Sequence, residues 1–233
     1  MDSRYQRGVD YARRHGRRMA NGVWWVPAHR GNYTTANRDR STINAIVIHT
    51  TEGWGGGSDV FQGEGRKASA HYGIERNGMV TQSVADKDVA WHSASGMNAQ
   101  SIGIEHAGFA QETAWPPALL RASAKLTARL ARKYRIPLNR RYITGHSEVG
   151  RCKGSPSATP GHPVLGPVIN AQGERGGGTS CHYDPGKAWP WNRYLGLARW
   201  YYYRPLVLGA AGAAAVVFLL GRRRRRRRRL TGR

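Results

Sequence analysis

The chain has 233 residues, which is enough for one domain with a substantial hydrophobic core and short appendages. Its formal net charge is +23, and eight of those charges lie in the single block Arg222–Arg229. This charge favours an anionic partner, namely nucleic acid, anionic lipid or an acidic cell-wall polymer. A fold held together by many disulfides is excluded, because the chain contains only two cysteines.

Residues 1–40 are predicted to be a basic N-terminal lead-in. Six arginines fall within the first 20 residues, and no apolar stretch of the kind that a signal peptide requires follows them. We expect a partly helical segment that frays. It either contacts an anionic surface or is simply solvated.

The next segment, residues 43–49, is predicted to be a central strand of the domain at 41–200. It is apolar, mostly β-branched and ends on His49, after which a Gly-rich loop follows at residues 53–57. A histidine at the exit of a core strand is well placed to ligate a metal at the edge of a pocket. The same position also suits an ordinary hydrogen-bonded histidine.

A β-hairpin is predicted next, with strands at residues 71–75 and 79–84. The turn contains Asn77-Gly78, a pair suited to positive φ at both turn positions. Residues 101–106 predict another short strand, in which alternate isoleucines share one face.

An amphipathic helix should run from about residue 118 to residue 134 and end before Pro137. Residues 142–146 predict a short strand or loop that leads to a second histidine. Residues 150–181 form an irregular loop insertion rich in Gly, Pro and Ser, and residues 184–200 form a closing turn with a short helix.

The two cysteines, Cys152 and Cys181, lie at the ends of that irregular loop. Their spacing fits neither a zinc ribbon nor a redox pair. One disulfide closing the loop and two free thiols are both compatible with the sequence, depending on the compartment.

The C-terminal part is predicted to be a membrane helix, residues 201–221, followed by a poly-Arg tail, residues 222–233. The uncharged run of residues 205–221 would span roughly 25 Å as a helix, and neighbouring aromatic residues extend it towards the thickness of a bilayer core. The alternative is a soluble helix packed against the domain. The block Arg222–Arg229 could in addition bind anionic lipid or nucleic acid.

The chain contains three potential metal ligands and, on a predicted strand, one potentially catalytic carboxylate. They lie in the contexts Ile46-Val-Ile-His49, Ile143-Thr-Gly-His146 and His182-Tyr-Asp184-Pro-Gly, and the carboxylate lies in Ser101-Ile-Gly-Ile-Glu105. With Ser69-Ala-His-Tyr72 and Ala90-Trp-His92, these motifs resemble, in the right order, the N-acetylmuramoyl-L-alanine amidase family, which includes phage endolysins and peptidoglycan recognition proteins.

The resemblance implies an α/β fold with a central mixed β-sheet flanked by helices. It also implies that His49, His146 and Asp184 bind Zn²⁺, which suits a catalytic site with three protein ligands and an open position. Glu105 matches the family's proton-transferring glutamate, although an ordinary surface glutamate is its alternative reading. His182 stands where many relatives have a lysine that donates to the carbonyl oxygen, and it could take that role.

Other polar and aromatic residues are assigned by position. His92, Trp54 and Trp91 are expected to bind substrate, and packing is the alternative for each. His71 is expected to be structural. The implied reaction is zinc-dependent hydrolysis of the amide between N-acetylmuramic acid and L-alanine in peptidoglycan.

The alternative function is a recognition protein that binds peptidoglycan without cutting it. The expected location is a membrane, with the domain facing the cell wall or lying in a virion membrane, as would suit a phage lysin. No obligate protein partner is evident from the sequence.

Overall fold

The computed structural model describes residues 2–93, 95–149 and 182–204. The strands in that part of the chain are β1 (Arg17–Arg18), β2 (Trp24–Trp25), β3 (Tyr33–Thr34), β4 (Ala45–Ile48), β5 (Tyr72–Ile74), β6 (Val80–Gln82), β7 (Val89–Ala90), β8 (Ser101–His106) and β9 (Ile143–Gly145). The α-helices are α1 (Gln6–His15), α2 (Ser95–Gln100), α3 (Pro117–Tyr134) and α4, which includes residues 191–204.

A seven-stranded mixed sheet has the order β1-β2-β6-β5-β8-β4-β9, and β3 pairs with β7 in a separate two-stranded sheet. Strands β5, β8, β4 and β9 are mutually parallel, whereas β6 runs antiparallel to β5. Because the carboxyl ends of parallel strands meet at one edge, the residues that follow β4, β8 and β9 lie side by side there. The predicted α/β fold with a central mixed sheet is confirmed.

Helices cover both faces of the central sheet. On one face, Ile46 and Ile48 of β4 pack in a large core with the apolar side of α3. On the other face, Ala45 and Val47 pack with Met97 of α2. The alternation of side chains along β4 therefore sends consecutive residues to two different layers. All four residues of β4 are buried, as expected for a central strand with paired neighbours on both sides.

The predicted hairpin is present, but its turn differs in detail. Gly78 has a φ of 87°, whereas Asn77 is not among the residues with positive φ. The amide of Gly78 donates to the carbonyl of Glu75 at 2.8 Å, which closes the turn one residue earlier than expected. Only the final turn position therefore needs the freedom of glycine, and Asn77 instead accepts a hydrogen bond from the amide of Met79.

The N-terminal segment is helical in part, as predicted, and it also joins the main sheet. Strand β2 pairs in parallel with β6, and β1 pairs with β2. Helix α1 buries Val9 and Ala12. The arginines of this segment therefore project from a packed scaffold. The domain boundary at residue 40 stays a prediction.

Within the described residues, no helix is both long and apolar enough to cross a bilayer. Residues 201–204 continue α4, while the rest of the predicted membrane helix and the poly-Arg tail lie outside the described part of the chain. The predicted loop at 150–181, with Cys152 and Cys181, lies outside it too.

Candidate metal centre

The two predicted histidine ligands emerge from adjacent strand ends. His49 follows β4, and His146 follows β9, which pairs in parallel with β4 through the register Ile48 to Gly145. Their ring centroids are 4.5 Å apart. Both side chains are buried, His49 almost completely. Two neighbouring parallel strands therefore bring together residues that lie 97 positions apart in the sequence.

Asp184 completes the cluster from a separate segment. Its Oδ2 lies 3.1 Å from Nδ1 of His49, and its Oδ1 lies 3.2 Å from Nδ1 of His146. The main-chain carbonyl of Asp184 accepts a hydrogen bond from the amide of Ser147, which ties this segment to the turn that carries His146. Burial alone would raise the pKa of Asp184, but the contacts with His146 and His49 outweigh burial and place that pKa well below its usual range.

A chain of buried hydrogen bonds determines which nitrogen of His49 carries a proton. The hydroxyl of Ser101 donates to the carbonyl of Met97 at 2.6 Å, so its oxygen accepts from Nε2 of His92 at 3.2 Å. Burial lowers the pKa of both His92 and His49, the latter to about 4, so both rings are neutral. Nδ1 of His92 therefore accepts from Nε2 of His49 at 3.0 Å, and Nδ1 of His49 is left with a lone pair.

That lone pair faces a carboxylate oxygen of Asp184 at 3.1 Å, an arrangement of two acceptors that a cation between them would satisfy. The ligand atoms of His49, His146 and Asp184 all lie within 4.8 Å of one another. Two imidazole nitrogens and one carboxylate oxygen are a donor set typical of catalytic Zn²⁺. The residues present thus fit the predicted metal.

The glycine in β8 permits this arrangement. A Cβ atom at Gly103 would overlap the ring of His92. The amide of Gly103 also donates to Nδ1 of His71 at 3.1 Å, and burial lowers the pKa of His71 to about 3. His71 is therefore a neutral, buried side chain beneath His92. This agrees with its predicted structural role.

Glu105 is the penultimate residue of β8, which pairs with β4, the strand that precedes His49. Together with Thr50 and Trp54 it lines a cavity of about 470 Å³. The side chain is half-buried, and its Oε2 has no hydrogen-bond partner among the described residues. Burial, reinforced by the carboxylates of Asp184 and Glu52, raises the pKa of Glu105 well above its usual range. Such a carboxylate can readily accept and hold a proton.

His182 lies on the solvent-facing side of the candidate ligand cluster formed by His49, His146 and Asp184. Its ring stacks on His146 at a centroid distance of 3.6 Å, and its Nδ1 lies 4.0 Å from Oδ1 of Asp184. Burial, followed by the charge of His146, lowers the pKa of His182. At neutral pH the ring is therefore a neutral N–H donor, not an imidazolium ion.

The three residues predicted to bind substrate occupy different surroundings. His92 is buried against His49. Trp54 lines the cavity of Glu105, with the guanidinium carbon of Arg4 3.6 Å from its ring centroid. Trp91 donates to the hydroxyl of Thr34 at 2.9 Å and, among the described residues, is not part of that cavity lining. Their roles in substrate binding stay predictions.

Sequence reasoning did not single out His106 or Arg38. His106 shares the face of β8 that carries two isoleucines, so the alternation along the strand already indicated a buried histidine. Arg38 is buried and donates to the carbonyls of Asn98, Ser101 and Asp88. No apolar pattern surrounds Arg38 in the sequence, and nothing there marks it as buried.

The comparisons with known proteins agree with this geometry. The family model described as N-acetylmuramoyl-L-alanine amidase matches residues 39–161. N-acetylmuramoyl-L-alanine amidase A of Achromobacter lyticus is 34% identical over 180 residues, which cover 74% of this chain and 91% of the relative. The crystal structure of a selenomethionine derivative of AmpD matches with a TM-score of 0.51 and 24% identity, covering 77% of this chain and 95% of AmpD. The AmpD match supports the fold alone.

The fold and the similarity to known proteins define an amidase, and its clustered His, His and Asp side chains are candidate metal ligands. The chain belongs to the N-acetylmuramoyl-L-alanine amidase family. The prediction of this family, and of an amidase, from the sequence motifs is confirmed.

Proposed function

We propose that the chain hydrolyses the amide bond between N-acetylmuramic acid and L-alanine in peptidoglycan, with Zn²⁺ as its cofactor. The observation that carries this proposal is the buried cluster of His49, His146 and Asp184 at the sheet edge where Glu105 also lies. Family membership supports the same reaction.

The chemistry that Zn²⁺ supplies when bound is polarisation of a carbonyl group and acidification of a water molecule. Glu105 accepts a proton from the attacking water and returns it to the amine that leaves. Its raised pKa suits both steps, because a carboxylic acid of higher pKa holds the proton until the carbon–nitrogen bond breaks. His182 donates a ring N–H to the carbonyl oxygen as negative charge develops there.

Digestion of purified peptidoglycan tests this proposal. The expected products are stem peptides with a free L-alanine amine, identified by mass spectrometry. Glu105→Gln should abolish their release while zinc binding is retained, because Glu105 is not part of the cluster of metal ligands. Release of reducing sugar ends without free alanine amines would show a different cleavage and overturn the proposal.

A non-catalytic peptidoglycan-binding protein is the alternative. All three candidate metal ligands are present, and Glu105 is a half-buried carboxylate with a raised pKa. Both features favour a catalytic protein over one that only binds peptidoglycan. Co-sedimentation with cell walls in the presence of zinc, without any released stem peptide, would support the binding protein instead.

We further propose that the chain is attached to a membrane through residues 201–221, with the amidase domain directed towards the cell wall, as in a phage lysis protein. The support is the uncharged sequence of residues 205–221 and the arginine block after it. Removing residues 205–233 should release the protein from membranes washed at high salt, which weakens electrostatic binding but does not extract an inserted helix, and should leave hydrolysis of isolated walls intact. Retention of the truncated protein on membranes after a high-salt wash would contradict attachment through this segment.

A further inference from the structure

A second cavity lies away from the metal cluster, between the N-terminal strands, the hairpin turn and α3. Its volume is about 740 Å³. Its apolar lining includes Trp24, Met79 and Leu126. The cavity is also lined by five cationic side chains, Arg13, Arg18, Lys125, Arg129 and Arg132. We call this cavity and its lining the basic groove.

The positive charge of the basic groove is not balanced locally. No acidic side chain is among the described residues that line it. Helix α3 contains no Asp or Glu, and Arg121, Lys125, Arg129 and Arg132 follow one another at steps of four, four and three residues. Like charges at this spacing destabilise a helix, so an external anion would stabilise the surface.

The helix next to the basic groove exposes aromatic side chains. Arg132 donates to the carbonyls of Tyr201 and Tyr202 at 3.0 and 2.8 Å, which ties α4 to α3 at the groove. Trp200 and Tyr203 of α4 are 53% and 56% exposed. Tryptophan and tyrosine beside cationic residues are typical of surfaces that contact lipid headgroups. The chain also continues from α4 into the uncharged run at 205–221.

The basic groove and the metal cluster lie on opposite faces of the sheet. Ile104 packs in the core with α3, and His106 contacts Ser123 of that helix. The residue between them, Glu105, points to the other face, where the metal ligands lie. A surface that held the groove against a membrane would therefore turn the cleft of Glu105 away from it.

We propose that the basic groove, together with the exposed aromatic residues of α4, binds the surface of an anionic phospholipid bilayer. The arrangement orients the cleft towards the cell wall. This surface shares no residue with the candidate ligand cluster of His49, His146 and Asp184. Only the choice of a lipid bilayer as its partner rests on the proposed membrane attachment. Each groove cation should contribute about fivefold to vesicle affinity, and the effect should weaken with salt.

Lysine footprinting of the full chain tests which face meets the lipid. Vesicles of phosphatidylcholine with phosphatidylglycerol are compared with vesicles of phosphatidylcholine alone, and lysine acetylation is measured by mass spectrometry. Lys125 should be protected only by the anionic vesicles. Lys67 and Lys187, which are exposed and lie outside the basic groove, should stay reactive and serve as internal references. Equal protection of all three lysines, or none, would overturn the proposal.

A matched pair of double variants distinguishes the contribution of the basic groove to vesicle binding from the contribution of net charge. Arg18→Glu with Lys125→Glu should weaken binding to anionic vesicles by roughly 25-fold or more. Lys67→Glu with Lys187→Glu changes the net charge equally and should weaken it far less. The tail is the same in both variants, so its contribution cancels.

The lipid proposal and the amidase proposal can fail independently of each other. The groove variant should hydrolyse a soluble muropeptide at the wild-type rate, because neither substituted residue lies near the metal cluster. Protection of Lys125 by a single-stranded oligonucleotide but not by anionic vesicles would assign the groove to nucleic acid and overturn the lipid proposal.

Discussion

The imidazole of His106 donates a hydrogen bond from Nδ1 to the main-chain carbonyl of His49 at 2.7 Å. A carbonyl can only accept, so Nδ1 carries the proton, and burial lowers the pKa of His106 to about 3 and keeps the ring neutral. Nε2 then accepts from the hydroxyl of Ser123 at 2.7 Å, and Ser123 accepts from Tyr194 at 3.0 Å. Helices α3 and α4 thereby hold the backbone of His49, a candidate metal ligand, from the opposite side of the sheet.

Ser123→Ala should loosen that backbone. The substitution leaves Nε2 of His106 buried without its partner, which should cost about 1–3 kcal/mol of unfolding free energy. It should also weaken zinc binding by about tenfold, because the backbone of His49 loses its support. Denaturant unfolding and competition with a chelator measure the two effects separately.

Thr127→Val is the matched control, since Thr127 contacts Tyr194 at 2.6 Å and lies two hydrogen bonds further from His49 than Ser123 does. It should lower stability with less effect on zinc. If Ser123→Ala lowered stability and left zinc affinity unchanged, the network would be structural only.

His92→Ala should lower zinc affinity and not merely raise KM. His92 accepts the hydrogen bond that keeps the lone pair of His49 on Nδ1, and loss of such a partner typically costs 10–100-fold in metal affinity. Zinc titration should show the loss of affinity. With excess zinc and saturating substrate, the variant should recover most of the wild-type activity. His15→Ala, at an exposed position, is the control. Unchanged zinc affinity with a raised KM would favour the substrate-binding role predicted from the sequence.

The parts of the site that could be predicted from the sequence are those with strong local patterns. His49 directly follows a short apolar strand, Glu105 is the penultimate residue of another, and strand alternation places Glu105 on the face opposite its isoleucine neighbours. The hydrogen bonds of His92 could not be predicted, because they depend on the hydroxyl of Ser101 and on the absence of a Cβ atom at Gly103. Such contacts arise only when β7, α2 and β8 are packed together.

The N-terminal strands show a second limit of sequence reasoning. Two-residue strands such as β1 and β2 carry no periodicity, so a basic segment with dispersed arginines reads as a solvated arm. Its place in the sheet comes from the pairing of Trp24 with Thr81, a long-range contact. Tertiary packing of Val9 and Ala12 then outweighs the polar composition of α1.

Glu75 should make the stability of the protein depend on pH. Burial raises the pKa of this carboxyl from its ordinary 4.5 to about 7, although the amide of Gly56 donates to it at 3.0 Å. Between these pH values the unfolded chain loses the proton while the folded chain keeps it, so stability falls as pH rises. The loss should reach roughly 3 kcal/mol by pH 7 relative to pH 4.5.

Glu75→Gln should remove this dependence, because glutamine does not titrate. Denaturant unfolding at a series of pH values compares the two proteins, and the stability of the variant relative to wild type should rise with pH. Glu64→Gln, at an exposed position, should leave the wild-type profile unchanged. A constant difference between wild type and Glu75→Gln across this range would contradict the raised pKa.

Zinc should stabilise the folded protein through Asp184. A ligand present at a hundred times its Kd adds about 2.7 kcal/mol to the unfolding free energy when only the folded state binds it. Asp184→Asn removes the charge that lies 3.1 and 3.2 Å from the two histidines, so thermal unfolding of this variant should respond far less to zinc. Glu105→Gln should keep the full zinc-dependent rise in Tm while losing hydrolysis, because Glu105 is not among the clustered ligands. An equal zinc response in wild type and Asp184→Asn would show that zinc binds elsewhere.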